Sequence, residues 1–268
     1  MTMKKQMYYI SLGLCLSVLI DGCSKDKLFD FVIGSQPTFE DGHAFVAGIN
    51  VFAVIRPDST DGKSMNLIHI EKVIPAISST DDSTTLTDFN AVVYKIVNKV
   101  ITDSLSFIFT YPDTTFTHKP TDFKPEPGNH FKMICQSPGL PDLSAETVIP
   151  NQPVIVGNSI HTAMNKIQFS ITADTTAFLY DIYLFVGRNQ YYQRILRAKT
   201  GDTSVAIDVD VSSATNTTLV IYAYDKNLSE YLTAPNLFIK PNTYRPPFST
   251  VQHGYGCFGS LNLLTKKL

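Results

Sequence analysis

Cys23 is the residue whose surroundings indicate the most specific chemistry. A pair of lysines opens the chain, the apolar run Tyr8–Ile20 follows, and the small residue Gly22 stands directly before the thiol. This order is typical of a secretory signal peptide, and the apolar run is shorter than the about 20 residues that span a bilayer. We predict a signal peptide over residues 1–22 and acylation of Cys23 after cleavage. An ordinary signal peptide cut nearby is the alternative, and Asp21 departs from the usual lipidation pattern.

The segment Gly254–Gly259 (GYGCFG) has the spacing of a dinucleotide-binding loop, but its context excludes that chemistry. Such a loop needs a following helix and an acidic residue about 20 positions later. Only nine residues follow Gly259, and none is acidic. We interpret the segment as a bulged terminal strand in which Tyr255 and Phe258 pack inward.

The remaining polar residues predict no catalytic, cofactor or metal site. The six histidines lack the spacing of metal ligands, and the chain has no G-x-S-x-G nucleophile elbow. A pair of carboxylates could still meet in space, but the sequence selects no pair. We therefore expect a protein that is not an enzyme and carries no cofactor.

Composition favours a β-rich fold with a packed core. Apolar residues make up 44% of the chain and aromatic residues 11%. Glutamate is scarce while Thr, Val, Ile, Tyr and Phe are abundant, as in strands. A net charge of −2 with scattered lysines is unlike a nucleic-acid-binding surface. No later apolar run reaches membrane length, so the lipid would be the anchor.

The strand pattern predicts two β-sandwich-like domains. Strands recur about every ten residues with turn signals between them, and Ile167, Phe169 and Ile171 alternate with polar residues. Pro150 and Pro153 indicate a stiff linker. We therefore place the boundary between the two domains at this linker. The predicted parts are a tether over residues 23–36, a first sandwich over 37–150 and a second β-rich domain over 151–268.

Two cysteines remain in the predicted mature chain. Cys135 and Cys257 each lie in an alternating apolar pattern, where a free cysteine behaves as a small core residue. We predict that both are buried and unpaired, in different domains. A disulfide between them is the alternative, because the compartment would permit one.

Three parts of the sequence resemble a known family. Phe89–Tyr94 (FNAVVY) is similar to its "nAxVxI" strand. Pro127–Met133 followed by Ala145–Pro150 resembles its "PG-x-x-Y-x-L … A-x-T-x-IP" close of the first domain. Val251–Ser260 resembles its terminal "v-x-NGxGxFG" strand. The family is that of the Bacteroidota lipoproteins catalogued as domain of unknown function 4249.

This resemblance implies a place and a role. It implies an outer-membrane lipoprotein whose first domain is immunoglobulin-like and which accompanies a TonB-dependent transporter. We therefore expect a non-enzymatic accessory or ligand-capture subunit of such a β-barrel transporter. A surface adhesion or pilus-type structural subunit is the runner-up, and an envelope enzyme comes third. The sequence leaves open whether the protein faces the periplasm or the cell surface.

Two sets of surface residues follow as candidates. Partner contacts are expected from turn aromatics, although such rings also pack against their own sheet; the candidates are Tyr191, Tyr192, Tyr244 and Phe248. Hydroxyls that follow an aspartate fit the O-glycosylation pattern of Bacteroidota envelopes. The same composition also favours plain turns. The candidate acceptors are Ser59, Ser83, Thr114 and Thr175.

The lipid anchor generates the first test. If Cys23 is acylated, Cys23→Ala should abolish fatty-acid labelling and release the protein from the membrane fraction. The reason is that no apolar run after the predicted signal peptide reaches the length that spans a bilayer, so the lipid would be the anchor. Metabolic labelling followed by fractionation measures both effects. Cys15→Ala, in the predicted signal peptide, is the matched control and should leave labelling intact. Continued labelling of the Cys23 variant would contradict the lipoprotein assignment.

Overall fold

The computed structural model describes residues 46–60, 63–64, 66–74, 83–107, 115–116, 124–163, 166–197, 201–209, 217–234 and 249–268. Within these residues the chain is mostly strand, with one helix, α1 (Lys226–Thr233). In chain order the strands are β1 (Ile49–Ile55), β2 (Ser59–Thr60), β3 (Lys63–Ser64), β4 (Leu67–Lys72), β5 (Asn90–Val97), β6 (Val100–Phe107), β7 (Thr115–Phe116), β8 (His130–Gln136), β9 (Leu143–Val148), β10 (His161–Ala163), β11 (Lys166–Ile171), β12 (Leu179–Val186), β13 (Asn189–Leu196), β14 (Thr203–Asp208), β15 (Thr217–Tyr224) and β16 (Tyr255–Lys267).

Two β-sandwiches follow one another along the chain, which confirms the all-β prediction. In the first, β1 and β4, which share a sheet with the edge strand β7, pack against a sheet ordered β6-β5-β8-β9. In the second, β11 and β14, which share a sheet with the edge strand β10, pack against a sheet that contains β13, β12, β15 and β16. Apart from the small β2–β3 hairpin, each sandwich puts its first, second and fifth strands in one sheet. The other sheet is ordered fourth-third-sixth-seventh. The second sandwich thus repeats the immunoglobulin-like connectivity of the first.

Each core is built from the period-two positions that the sequence predicts. On β8, Phe131, Met133 and Cys135 are fully buried in the first core. On β11, Ile167, Phe169 and Ile171 are buried in the second core. The alternation predicts both strands because successive side chains of a strand point to opposite faces of the sheet.

Tight turns fix the register of two hairpins. Gly187 and Arg188 join β12 to β13, and the φ of +59° at Gly187 suits a glycine. Asn98 and Lys99 join β5 to β6 with φ values of 51° and 65°. The second turn is the less usual of the two, because lysine seldom adopts a positive φ.

The terminal strand β16 belongs to both sandwiches. Its first part, Tyr255–Ser260, pairs in parallel with β1. Its second part, Leu261–Lys267, pairs antiparallel with β15. The result is a continuous seven-stranded sheet, ordered β13-β12-β15-β16-β1-β4-β7, that runs through the whole unit of residues 47–268.

This shared strand corrects the expected domain boundary. Residues 151–268 were assigned to a separate second domain, yet Tyr255–Ser260 complete the sheet of the first sandwich. The reason is that β16 covers the edge of β1, and these two strands lie far apart in the sequence. The predicted tether and signal peptide lie outside the described residues. The pairing of β16 with β1 also runs without the predicted bulge, although Tyr255 and Phe258 are buried as expected.

Both predicted core thiols are buried and unpaired. Cys135 lies in the first core, on β8. Cys257 lies beneath α1 in a separate apolar cluster with Leu228 and Tyr224. It faces Phe52 across the β1–β16 pairing, so the two thiols lie in different apolar clusters and Cys257 is in contact with both sandwiches.

Two glycines of the terminal strand permit close approach. Gly256 has φ +96°, and a Cβ there would lie 2.0 Å from the carbonyl oxygen of Val51. A Cβ on Gly259 would lie 2.7 Å from the Cβ of Leu228 on α1. The first glycine lets β16 approach β1, and the second lets the helix lie on the sheet.

Gly256 therefore gives a test of the shared strand. Gly256→Ala should lower the free energy of unfolding by about 3 kcal/mol or more, because strain and a backbone clash act together. Gly201→Ala is the control, since Gly201 also has a positive φ (+78°) but open space around it. It should cost only about 1 kcal/mol. Equal losses of stability in urea unfolding would show that the close approach to β1 does not matter.

Candidate functional site

The described residues offer no metal centre, since no group of three or more His, Cys, Asp or Glu side chains among them could hold an ion. Nor does any described helix have the length and hydropathy to cross the membrane. Two polar arrangements stand out instead. One lies on the outer surface of the second sandwich, and the other lies between the sandwiches.

The outer surface of the second sandwich carries a cluster of aromatic rings. On β12, even-numbered residues such as Ile182 and Leu184 face the core, so Tyr183 and Phe185 face outward. The hairpin register sets Tyr192 of β13 opposite Tyr183. We call the rings of Tyr183, Phe185, Tyr192 and Tyr222 the outer aromatic face.

The rings of this face touch one another. The centroid of Tyr183 lies 5.0 Å from that of Tyr192, 5.8 Å from that of Tyr222 and 6.5 Å from that of Phe185. The side of the face nearest α1 ends at Tyr224, whose ring lies 6.3 Å from Tyr222. Tyr192 and Phe185 remain 50% and 37% exposed. The face is thus a contiguous aromatic surface open to solvent.

An ion pair anchors the aromatic face. Asp181 is only 2% exposed, and the guanidinium of Arg194 donates to each of its carboxylate oxygens at 2.7 Å. The hydroxyl of Tyr192 donates to the same carboxylate at 2.8 Å, and that of Tyr224 at 3.1 Å. Arg194 also donates to the carbonyl of Leu232 at the end of α1, at 3.1 Å. The carboxylate is therefore fully engaged, as a buried charge requires.

The ionisation of this group follows from its contacts. Burial by itself would raise the pKa of Asp181, but the hydrogen bonds from Arg194 and the tyrosines hold it below its usual value. The hydrogen bond that Arg194 donates to Asp181 raises the pKa of Arg194. Burial, and then the hydrogen bond to Asp181, raises the pKa of Tyr192 to about 12. At neutral pH the acid and the arginine are charged and the tyrosine is neutral.

The second arrangement lies where the two sandwiches meet. Thr147 Oγ1 on β9 lies 2.5 Å from Asp225 Oδ2 and 2.9 Å from Ser260 Oγ on β16. Ser260 Oγ lies 2.8 Å from the carbonyl oxygen of Val148. We call these four residues the junction network. Nearby, the amide of Asn262 donates to the carbonyl of Pro150 at 3.0 Å.

Asp225 also begins the helix. Its Oδ1 accepts a hydrogen bond from the backbone N–H of Leu228 at 2.9 Å, which is the usual N-cap contact. Asn227, in the first turn, donates to the carbonyls of Glu146 and Phe258, at 2.7 and 3.0 Å. A cleft of about 350 Å³ opens beside the network, lined by His130, Glu146, Thr147, Val148, Thr176, Phe178, Asp225, Lys226 and Asn227.

The predicted surface residues separate into distinct groups. Tyr192 lies on the outer aromatic face, whereas Tyr191 packs against the second core, as expected from the opposite faces of a strand. Ser83 and Thr175 are exposed, and Ser59 lies on β2. The other candidates, Cys23, Thr114, Tyr244 and Phe248, lie outside the described residues.

Sequence reasoning missed most of the outer aromatic face. Residues 178–186 form a long, mostly apolar stretch, and the acid within it was the signal. An aspartate such as Asp181 is rarely buried without a partner. Counting back from the Gly187-Arg188 turn brings Arg194 opposite Asp181.

No family model and no curated protein matches the chain. Solved structures to which the chain is similar include the FN1–FN3 domains of chicken CNTN1, 12% identical, covering 83% of this chain and 67% of that one at a TM-score of 0.31. Two fibronectin type-III domains of chicken tenascin are 10% identical, over 64% and 91%, at 0.25. A cytokine receptor complex chain is 9% identical, over 82% and 95%, at 0.28.

The ion pair between the buried Asp181 and the partly exposed Arg194 generates a test. Arg194→Met leaves the Asp181 carboxylate buried without a counter-charge, so the free energy of unfolding at neutral pH should fall by about 3 kcal/mol. Urea denaturation measures the loss. The double variant Asp181→Leu with Arg194→Met removes both charges and should recover part of the stability. If the double variant is the less stable of the two, the unpaired charge is not the cause.

Proposed function

We propose that the protein is a non-enzymatic binding protein of the bacterial cell envelope, held at the outer membrane by a lipid on Cys23. In this proposal it serves a TonB-dependent β-barrel transporter as an accessory or ligand-capture subunit. The observation that carries the binding role is the outer aromatic face. The transporter as partner follows from the family resemblance of the sequence.

The outer aromatic face has the properties of a binding surface. Tyrosine and arginine are enriched at the energetic centres of protein interfaces. Tyrosine offers a large apolar area and a polar tip at a low cost in side-chain entropy. Here the hydroxyl of Tyr192 is held by Asp181, and the ring of Tyr183 packs against three others. Such a surface is ordered before binding, so less entropy is lost when a partner docks.

With a lipid anchor, an interface of modest affinity would be sufficient to keep the protein bound to its partner. A domain tethered to the same membrane as its partner meets it at a high effective concentration, so even weak contacts stay occupied. The shared strand β16 supports this arrangement because it joins the sandwich that follows the tether to the sandwich that carries the aromatic face.

The outer aromatic face therefore predicts where transporter binding fails. In a mild-detergent pull-down from the native host, the intact protein should recover a large β-barrel protein in near-equal amount. The double variant Phe185→Ser with Tyr192→Ser should lower that recovery at least about tenfold, since each buried aromatic anchor contributes 1 kcal/mol or more.

The matched control changes exposed apolar residues of the first sandwich. Val100→Ser with Ile101→Ser alters side chains that are 62% and 58% exposed on β6, far from the aromatic rings in sequence and sheet. Its recovery of the partner should equal that of the unaltered protein. Equal recovery with all three proteins would remove the aromatic face from the proposal. Recovery of the protein alone, or as filaments of itself, would favour the structural-subunit alternative.

A further inference from the structure

The junction network contains more contacts than its hydroxyl groups can satisfy. Three oxygen–oxygen contacts run in series from Asp225 to Thr147, from Thr147 to Ser260 and from Ser260 to the carbonyl of Val148, at 2.5, 2.9 and 2.8 Å. Each is a hydrogen-bond distance, so each needs one hydrogen. The two hydroxyls supply one hydrogen each, and a carbonyl supplies none.

A protonated carboxyl group supplies the third hydrogen. Asp225 then donates to Thr147, Thr147 donates to Ser260, and Ser260 donates to the carbonyl of Val148. Every contact is satisfied in one direction along the series. If Asp225 is ionised, one of the three oxygen–oxygen contacts has no hydrogen between its two atoms. This is unfavourable because the site is buried, with Asp225 only 5% exposed.

We propose that Asp225 carries a proton in the closed junction, and that losing this proton loosens the contact between the two sandwiches. The network joins Thr147 on β9 of the first sandwich to Ser260 on the shared strand β16 and to Asp225 at the start of α1, so it adds to the backbone pairing of β16 that holds the sandwiches together. The device is a proton-dependent latch built into the fold.

The surroundings of Asp225 favour the neutral acid. Burial raises its pKa to about 6, although the ionised form would accept hydrogen bonds from Thr147 and from backbone N–H groups. No arginine or lysine is hydrogen-bonded to it among the described contacts, in contrast to Asp181. The absence of a counter-charge leaves burial as the dominant effect.

The other ionisable groups around Asp225 come from each element packed against it. His130 of β8, Glu146 of β9 and Lys226 of α1 line the same cleft. His130 and Lys132 lie 3.1 and 3.6 Å from the carboxylate of Glu146, and Lys226 lies 3.7 Å from Glu230. Cys257 of β16 stays neutral, because burial raises the pKa of its thiol to about 12. These groups are engaged with one another at the surface.

The direction of the pH effect follows from the raised pKa. The folded chain holds this proton more tightly than the unfolded chain, so the stabilisation is complete below the usual pKa of an aspartic acid. It is lost as the pH rises through about 6. The latch is therefore closed in mildly acidic solution and weakened at neutral pH.

Asp225→Asn separates the proton from the shape of the side chain. The amide NH₂ can donate to Thr147 at every pH, and asparagine remains a good N-cap. Thermal unfolding of the full mature chain in detergent should be followed at about pH 5 and about pH 8. Between about pH 5 and about pH 8, we expect the unfolding midpoint of the unaltered protein to fall by about 5–10 °C more than that of the variant. Parallel shifts would overturn the proposal.

The matched control is Asp208→Asn, which removes an exposed carboxyl of the second sandwich. It should follow the unaltered protein at both pH values. A control that behaves like Asp225→Asn would assign the pH effect to general charge and also overturn the proposal.

A second measurement tests the loosening directly, without altering Asp225. Spin labels on Ser106→Cys in β6 and Arg188→Cys in the β12–β13 turn report the distance between the sandwiches, since both positions are exposed. The native Cys135 and Cys257 are buried and should not react. The distance distribution should be narrow at about pH 5 and broader at about pH 8. Identical distributions would contradict the latch, whatever the stability data show.

Discussion

The pairing of β16 with two different partners is the constraint on which the rest of the structure depends. Six residues of this strand complete the ladder of β1, and the following seven complete the ladder of β15. Neither sandwich can rotate against the other without breaking backbone hydrogen bonds or bending a single strand. The glycines at 256 and 259 are the local condition for this, because side chains there would collide with Val51 and Leu228.

The shared strand also explains why polar residues lie at the junction. Ser260 and Asn262 stand where β16 passes from one sandwich to the other, and their side chains satisfy the carbonyls of Val148 and Pro150 as the chain leaves β9. A purely apolar contact would leave those carbonyls without these hydrogen-bond partners. Directional hydrogen bonds also specify one arrangement of the two sandwiches, whereas apolar surfaces can slide.

Local patterns in the sequence predicted the strands but not their distant pairings. The alternation of Ile167, Phe169 and Ile171 follows from a strand with one buried face, and it needs no knowledge of the partner strand. The pairing of β16 with β1 joins residues about two hundred positions apart, and nothing local marks it. The ion pair of Asp181 and Arg194 lies between these cases, since the register of one hairpin was sufficient to find it.

The pKa values of two buried aspartates in this fold are shifted in opposite directions, and the difference depends on whether a cation lies beside the carboxylate. Asp181 has an arginine on both carboxylate oxygens, so its pKa is lowered, and its stabilisation is lost as the pH falls through that lowered value. Asp225 is buried with hydroxyl and backbone partners and with no cation bonded to it among the described residues, so burial raises its pKa, and its stabilisation is lost as the pH rises through about 6. The outer aromatic face therefore depends on a charge, and the junction depends on a proton. Between these limits both are satisfied at once, so the junction responds to pH near neutrality while the face that Asp181 orders keeps its form.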